Sequence, residues 1–321
     1  MLFVTFFKIL PLTSNFFFSC VLFLTYPKFS QGKKVNMKLL IDKELNSNDK
    51  ILKPDFNSRT GRELLVFYLQ TKFRQIMSYD RKCSTPLFRE IHPEFINRFS
   101  KRLINTPNKH LLIGITGESA CGKSTICKEI KHVIEELSMP VSVLSTDNYF
   151  NDISELIKKY GTFDNLRDNG YDVDAPTSFQ LDILKKDLAM LSEGYNIKAP
   201  MYLPNGTGVS VPLAQDVISR KIVVVEGIAT MYDGVKDIFD IKIYVETEND
   251  IRKNRFLKRA CEERNQSTEN ALKHWHYILE AGEKYVKPFR NEADLVLNGN
   301  ADLNYFSQIL EYIYTITNNF Q

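Results

Sequence analysis

Residues 111–125 read Leu-Leu-Ile-Gly-Ile-Thr-Gly-Glu-Ser-Ala-Cys-Gly-Lys-Ser-Thr, an apolar run that passes into the pattern G-x-x-x-x-G-K-S. Apolar residues then recur at helical spacing, at Ile126, Ile130, Val133, Ile134 and Leu137. The stretch therefore predicts a buried strand, a glycine-rich loop and a helix in direct succession.

The loop has the chemistry of a phosphate-binding site. Gly117 and Gly122 allow the backbone to turn where a Cβ would clash, so successive N–H groups converge on a phosphate at a helix N-terminus. We expect Lys123 to bridge the β- and γ-phosphates and the Ser124 hydroxyl to ligate Mg²⁺. The alternative is a glycine-rich turn without a ligand. The residues predicted to bind ATP are Gly117, Glu118, Ser119, Ala120, Cys121, Gly122, Lys123, Ser124 and Thr125.

Composition narrows the class of partner. The chain has 321 residues, a net charge of +3 and no dense block of Lys or Arg, which argues against binding to nucleic acid and favours a small-molecule substrate. Its five cysteines are scattered without the spacing of a metal site. This pattern is typical of a reducing compartment, so we expect a cytoplasmic protein.

The amino-terminal residues allow two interpretations. Residues 1–26 are rich in Phe and Leu, but Lys8 and Pro11 leave an uninterrupted run shorter than the roughly 20 residues that span a bilayer. No small-residue cleavage site of a signal peptide follows. We favour translation from Met37, with residues 1–36 outside the protein. The alternative is a targeting segment, and we expect contact with a membrane only in that case.

The rest of the chain divides into two parts. Residues 37–106 read as a polar linker and a helical preface, with helical patterns over 61–105 that are broken at Pro86 and Pro93. Within 107–321, short apolar runs alternate with amphipathic stretches, which predicts an α/β fold: a parallel sheet with helices on both faces and a ligand at the carboxyl ends of the strands. The predicted strands lie near 111–116, 141–145, 222–226, 241–245 and 294–297.

Two acids follow predicted strands. Asp147 comes just after the strand near 141–145, where it would accept a proton from an attacking hydroxyl or hold Mg²⁺ through water. The alternative for Asp147 is a loop cap. Glu226 ends the strand near 222–226 and predicts a second carboxylate on the metal or its waters, with Gly227 permitting close approach.

Arginines recur after the strand near 241–245. Arg252, Arg255 and Arg259 follow one another at three- and four-residue steps, so one helical face carries guanidinium groups. Such a face usually lies on a solvated surface. After a phosphate site we favour a lid that neutralises charge on the transferring phosphoryl group.

In order and spacing, these segments resemble the uridine kinase branch of the phosphoribulokinase/uridine kinase/pantothenate kinase family, over about residues 109–316. The matching segments are G-E-S-A-C-G-K-S-T (117–125), T-D-N-Y-F (146–150), Tyr171-Asp172 with A-P-T-S-F (175–179) for the family's F-D-x-P-D-A-F, Ala199-Pro-Met-Tyr202, V-V-E-G-I (224–228) and E-R-N-Q (263–266). The resemblance implies a P-loop kinase fold with ATP and Mg²⁺ as cofactors.

The resemblance also implies a role for individual residues. Asp147 is expected as the general base and a metal ligand, and Ser124 and Glu226 complete the metal set. Lys123, Arg255 and Arg259 join Asp147 as the catalytic residues, and Arg264 belongs to the lid and to the nucleotide site. The residues implied to contact the acceptor, besides Asp147, are Tyr149, Tyr171, Asp172 and Tyr202.

The chain departs from the family where a base would be read. Leu-Pro-Asn-Gly-Thr follows Tyr202, Phe256 stands where the relatives have a nucleoside-contacting Arg, and Gln266 replaces the second Arg of E-R-G-R. His274, Trp275 and His276 form an aromatic cluster that either stacks on the acceptor or packs in the core. The departures weaken the prediction of uridine as the acceptor more than the prediction of a kinase.

Two functions of different class fit these observations. The first is a Mg-ATP-dependent kinase for a small-molecule hydroxyl, with a nucleoside such as uridine or cytidine as acceptor, or alternatively pantothenate, a sugar or a sugar phosphate. The second is a regulatory nucleotide-binding module. A GTPase-type switch would need the patterns N-K-x-D and D-x-x-G, which do not occur at the required places, and it would not require Asp147. We therefore favour the kinase, with a homo-oligomer left open.

Overall fold

A computed structural model describes residues 77–303, apart from residues 79, 83, 107, 137–139, 204, 264 and 302. All of them belong to the unit Phe56–Gln321. The extension 1–36, most of the polar linker and helical preface, and Leu137 therefore lie outside the described residues. The same holds for Arg264.

Six strands form the main sheet, in the order β1-β8-β7-β2-β6-β3, and two more form a hairpin, β4-β5. The strands are β1 (Phe88–Ile91), β2 (Leu111–Thr116), β3 (Ser142–Ser145), β4 (Ile197–Tyr202), β5 (Ser210–Val217), β6 (Ile222–Glu226), β7 (Ile241–Glu246) and β8 (Leu295–Asn298). All pairs in the main sheet are parallel except β1 with β8. The five strands expected from the sequence are all present.

Seven α-helices lie among the described residues. They are α1 (Phe95–Asn105), α2 (Lys123–Glu136), α3 (Ser154–Tyr160), α4 (Phe163–Asp168), α5 (Leu181–Ser192), α6 (Asn249–Lys258) and α7 (Thr268–Tyr285). A π-helical turn, Arg259–Glu263, continues α6. None of the described helices is long and apolar enough to cross a membrane.

Helices cover both faces of β2. Every residue of β2 is buried, as expected for a strand with a helix layer on either side. Ile113 belongs to a core cluster that includes Phe99 of α1 and Ile130 of α2. Leu112, on the opposite face, belongs to a cluster that includes Leu184 of α5. The predicted fold class, a parallel sheet with helices on both faces, is confirmed.

The structure differs from the sequence prediction at the end of the preface. Helical patterns broken at Pro86 and Pro93 were expected over 61–105. The helix α1 agrees with them, but Phe88–Ile91, between the two prolines, forms a strand antiparallel to β8. The carboxylate of Asp80 accepts hydrogen bonds from the N–H groups of Leu87 and Phe88, at 2.7 and 2.9 Å, and so fixes the entry into β1. A strand of four residues is too short to show a period of its own, and the open edge of β8 determines its conformation.

Candidate active site

The phosphate loop joins β2 to α2 at the carboxyl end of the sheet. Gly117 and Gly122 adopt φ of +144° and +108°, which L-residues with a side chain rarely tolerate. A Cβ at Gly117 would lie 2.3 Å from the carbonyl oxygen of Val245 in β7. The loop can therefore run this close to the neighbouring strand only with glycine at this position.

Lys123 lies over this loop. Its Nζ donates hydrogen bonds to the carbonyl oxygens of Gly117, at 2.7 Å, and Glu118, at 3.1 Å. Restricted hydration raises the pKa values of Asp147 and Asp174, and the positive charge of Lys123 offsets part of both shifts. The ammonium group thus connects the phosphate loop electrostatically with the acids across the cleft.

A buried ion pair supports the loop from the side of α6. Arg252 is 0% exposed and lies 2.7 Å from the carboxylate of Glu118. Its Nε also donates to the carbonyl oxygen of Ser119 at 3.0 Å. A charge buried at this depth needs such partners. Arg252 therefore holds the phosphate loop in place and does not belong to a solvated lid face.

Oxygen donors for Mg²⁺ gather at the end of β6. The carboxylate of Glu226 lies 3.4 Å from Ser124 Oγ and accepts a hydrogen bond from Ser145 Oγ at 2.9 Å. Within the described part of the chain, no three His, Cys, Asp or Glu side chains are grouped to hold a metal by themselves. A hydroxyl and a carboxylate suit Mg²⁺, which usually completes its shell with water and substrate phosphates.

Asp147 lies in the turn Thr146–Tyr149 that follows β3. A Cβ at Gly227 would lie 1.9 Å from Thr146 Oγ1, so glycine there lets the ends of β3 and β6 approach. Asp147 is exposed to solvent. The protein around it restricts its hydration and Glu226 adds a second negative charge, and together they raise the pKa of Asp147 to about 6.

Asp172, predicted to contact the acceptor, is bound to α7. Its carboxylate accepts hydrogen bonds from the hydroxyl of Tyr285 at 2.6 Å and from Lys284 Nζ at 3.2 Å. These bonds fasten the segment after α4 to the carboxyl end of α7. One of the carboxylate oxygens is thereby occupied, which leaves Asp172 less free for a substrate than the sequence indicates.

Asp174 is an acid that the sequence analysis did not single out. Enclosure by the protein raises its pKa, which Arg167 lowers and Asp172 raises, and its charge in turn raises the pKa of Asp147. The signal was present in the motif F-D-x-P-D-A-F. Counted back from Pro176 and Phe179, the acid of that motif is Asp174, and not Asp172 as the match beginning at Tyr171 implied.

The predicted aromatic contacts separate into two groups. Tyr202, at the end of β4, is half-buried against Phe150, with ring centroids 5.3 Å apart, and Tyr171 contributes to its raised pKa. Tyr149 is 0% exposed, and its hydroxyl donates to Asp187 at 2.8 Å in the core. This burial argues against the predicted contact of Tyr149 with the acceptor.

The two arginines that were predicted to be catalytic, Arg255 and Arg259, lie in different surroundings. Arg255 donates to the carbonyl oxygen of Gly299 at 3.1 Å and to Asn300 Oδ1 at 2.9 Å, in the loop that follows β8. Arg259 begins the π-helical turn, and its charge lowers the pKa of Asp147. Arg255 is thus engaged with the loop after β8, and the role of both arginines at the transferred phosphoryl group stays a prediction.

The three residues of the aromatic cluster on α7 differ in burial: Trp275 is buried, His274 is half-buried and His276 is exposed. Phe256 is 1% exposed and packs on Trp275, itself 4% exposed, with centroids 5.8 Å apart. The ring of His274 meets Phe256 edge-on at 5.2 Å. Of the two interpretations left open by the sequence, core packing holds for Trp275. The phenyl ring at position 256 therefore fills the core between α6 and α7.

Comparisons with known proteins agree with the motifs. Uridine-cytidine kinase A of Dictyostelium discoideum is 30% identical over 198 residues, which make up 60% of this chain but only 36% of that protein. Uridine kinase of Chlamydia pneumoniae is 30% identical over 205 residues, which make up 62% of this chain and 86% of that protein. The chain thus spans little more than a third of the length of the Dictyostelium relative.

A solved structure supports the fold. A candidate fructose transport system kinase from Silicibacter sp. matches 62% of this chain and 95% of its own, with a TM-score of 0.51 and 17% identity. At this identity the likeness concerns the fold alone. The sequence profile of the Phosphoribulokinase / Uridine kinase family matches residues 112–303, from the first residues of β2 to the end of the described region. Since that profile covers more than half of the chain, the chain belongs to the phosphoribulokinase / uridine kinase family of ATP-dependent kinases.

Proposed function

We propose that the chain transfers the γ-phosphoryl group of ATP to a hydroxyl of a nucleoside, with uridine and cytidine as the first candidates. One observation carries the proposal: the exposed Asp147 follows Ser145 at the end of β3, Ser145 bonds to Glu226 at the end of β6, and Glu226 lies 3.4 Å from the phosphate-loop Ser124. A general base has to lie between a phosphoryl donor and a hydroxyl acceptor in this way.

In the proposed reaction, a carboxylate oxygen of Asp147 takes the proton of the acceptor hydroxyl. The hydroxyl oxygen forms a bond to the γ-phosphorus, the bond from that phosphorus to the bridging oxygen breaks, and ADP leaves. Lys123 and Arg259 stabilise the negative charge on the moving phosphoryl group. Mg²⁺, held by Ser124 and Glu226 directly or through water, would neutralise charge on the phosphates.

The charges on the acceptor side favour a neutral acceptor. Asp172 adds to the raised pKa of Asp174, and Asp174 adds to the raised pKa of Asp147. On the side of Asp172 and Asp174, the nearby cations are Lys284 and Arg167. Pantothenate and sugar phosphates carry a negative charge that these carboxylates would repel. Ribose hydroxyls instead donate hydrogen bonds to carboxylates.

The acceptor can be tested directly. Release of ADP would be measured with Mg-ATP and uridine, cytidine, pantothenate or ribulose 5-phosphate, each with and without Mg²⁺. We expect the largest kcat/KM for a nucleoside. A kcat/KM for uridine and cytidine at least 10³-fold below that for pantothenate or the sugar phosphate, as an order-of-magnitude criterion, would reject the nucleoside and keep the kinase.

The second function class, a regulatory nucleotide-binding module, predicts a different outcome. Such a module would bind Mg-ATP but transfer no phosphoryl group to any of these acceptors. The acids Asp147 and Asp174 weigh against it, because binding of a nucleotide alone does not require either of them. We also propose that the chain acts in the cytoplasm, where ATP is available and where Cys121, Cys127 and Cys261 would remain free, as they are in the structure.

A further inference from the structure

Arg255 connects α6 to the loop that follows β8. Its guanidinium donates to the Gly299 carbonyl oxygen at 3.1 Å and to the Asn300 side-chain oxygen at 2.9 Å. The backbone N–H of Asn300 also donates to Asn298 Oδ1 at 3.0 Å. Arg255 therefore bonds to two consecutive residues of a short loop with a fixed shape.

That loop lies directly against the phosphate loop. A Cβ at Gly299 would fall 1.8 Å from the carbonyl oxygen of Cys121 and 2.5 Å from Thr247 Oγ1. Conversely, a Cβ at Gly122 would fall 3.0 Å from the carbonyl oxygen of Gly299. The same carbonyl oxygen accepts the hydrogen bond from Arg255. A shift of Gly299 would therefore displace the backbone of the phosphate loop at Cys121 and Gly122.

The contact between Gly299 and the phosphate loop lies on the side of the sheet away from Asp147. β2 has β6 and β3 on one side, where Glu226 and Asp147 follow the strands, and β7 and β8 on the other. Because the transferred phosphoryl group has to meet Asp147, the rest of a bound ATP would extend away from β3, toward the ends of β7 and β8. Gly299 and Asn300 lie on that second side, and so does the guanidinium that binds them.

We propose that Arg255 is a positioning residue, which holds Gly299 and Asn300 against the phosphate loop and thereby sets the affinity for Mg-ATP. It acts on the nucleotide through the loop and makes no contact with the transferred phosphoryl group. The inference rests on one part of the proposed function, namely that the nucleotide is ATP.

The test measures nucleotide binding apart from turnover. Titration of the full chain with Mg²⁺ and the non-hydrolysable analogue AMPPNP, by calorimetry, gives Kd, and steady-state assays give kcat. Since hydrogen bonds from a charged donor contribute about 1.5–3 kcal/mol, we expect Arg255→Ala to raise Kd roughly 10- to 100-fold. We expect kcat at saturating ATP to fall less than about threefold, and Arg255→Lys to recover part of the affinity.

Two further variants make the test specific. Asn300→Ala should weaken binding of Mg-AMPPNP by itself, and Arg255→Ala combined with Asn300→Ala should be no weaker than Arg255→Ala alone, because both remove the same contact. Lys258→Ala removes a positive charge from an exposed position on the same helix and should leave Kd unchanged. Thermal unfolding shows whether each variant is folded; if Arg255→Ala is not, Asn300→Ala carries the test.

Three results would overturn the inference. One is an unchanged Kd in both Arg255→Ala and Asn300→Ala, and another is an additive loss in the double variant. The third is a fall in kcat of about 100-fold at unchanged Kd, which would make Arg255 a contact of the transferred phosphoryl group. Absence of Mg-AMPPNP binding by the unmodified chain would instead overturn the proposed function, and this inference with it.

Discussion

On the phosphate side of the site, the glycine backbone defines the geometry with the support of the buried Arg252, whereas on the acceptor side only side-chain bonds between separate segments define it. Gly117 and Gly122 adopt positive φ, and Gly117 comes so close to β7 that no other residue fits. The acceptor side depends on Asp172, which binds Lys284 and Tyr285 from a helix more than a hundred residues later in the chain.

The difference explains how one family accommodates many acceptors. A loop defined by glycine conformation and close backbone contacts tolerates few substitutions. Ion pairs between exposed side chains contribute little to stability, typically about 0–1 kcal/mol, and exchange of one partner leaves the fold intact. We therefore expect substitutions on the phosphate side to abolish turnover and those on the acceptor side to change the preference for the acceptor.

The largest effect is expected at Lys123. Lys123→Ala removes the charge that holds the phosphates and should lower kcat/KM by about 10³-fold or more. The melting temperature should stay near that of the unmodified chain, because Lys123 is only half-buried and bonds to loop carbonyls alone. Lys128→Ala, at an exposed position on the same helix, is the matched control. Loss of cooperative unfolding together with activity would mean a structural role for Lys123.

The next effect is expected at Asp147. Asp147→Asn keeps the shape but cannot accept a proton, so kcat should fall by about 10²-fold or more while Mg-AMPPNP still binds. Asp182→Asn removes the same charge from a fully exposed position on α5 and should leave kcat unchanged. Near-normal turnover of Asp147→Asn would remove the general base from the mechanism.

The pH dependence of kcat/KM gives an independent measure of the same residue. Because the base has to be ionised, activity should fall as pH drops through the raised pKa of Asp147, about 6. Glu226 contributes to that shift, so the acidic limb belongs to the pair of carboxylates. Glu226→Gln removes a negative charge and should move the acidic limb of the profile to lower pH, even if the variant also binds the metal more weakly. A limb at unchanged pH in this variant would show that Glu226 does not act on the base.

The sequence predicts features that a few consecutive residues determine, but not those that depend on contacts between distant residues. The phosphate loop, Asp147 and Glu226 could be predicted because motif and strand end coincide in a few consecutive residues. Strand β1 could not, because its pairing with β8 joins residues about two hundred positions apart. Phe256 shows the same limit, since only the packing of α6 on α7 reveals that its ring lies in the core.

The smallest effect on turnover, and the sharpest test of the comparison, is expected from the two acids of the acceptor side. Asp174 is enclosed by the protein and acts on Asp147, whereas one oxygen of Asp172 is occupied by Tyr285. Asp174→Asn should raise KM for the acceptor about tenfold or more, since a lost hydrogen bond to a charged group costs about 1.5–3 kcal/mol, and leave KM for ATP unchanged. Asp172→Asn should change KM for the acceptor less and lower the melting temperature instead, and Tyr285→Phe, which removes only the hydroxyl, should reproduce that loss of stability. An equal or greater rise in KM for the acceptor in Asp172→Asn would mean that Asp172, and not Asp174, binds the acceptor. A rise in KM for ATP in either variant would contradict the separation of the site into a phosphate side and an acceptor side.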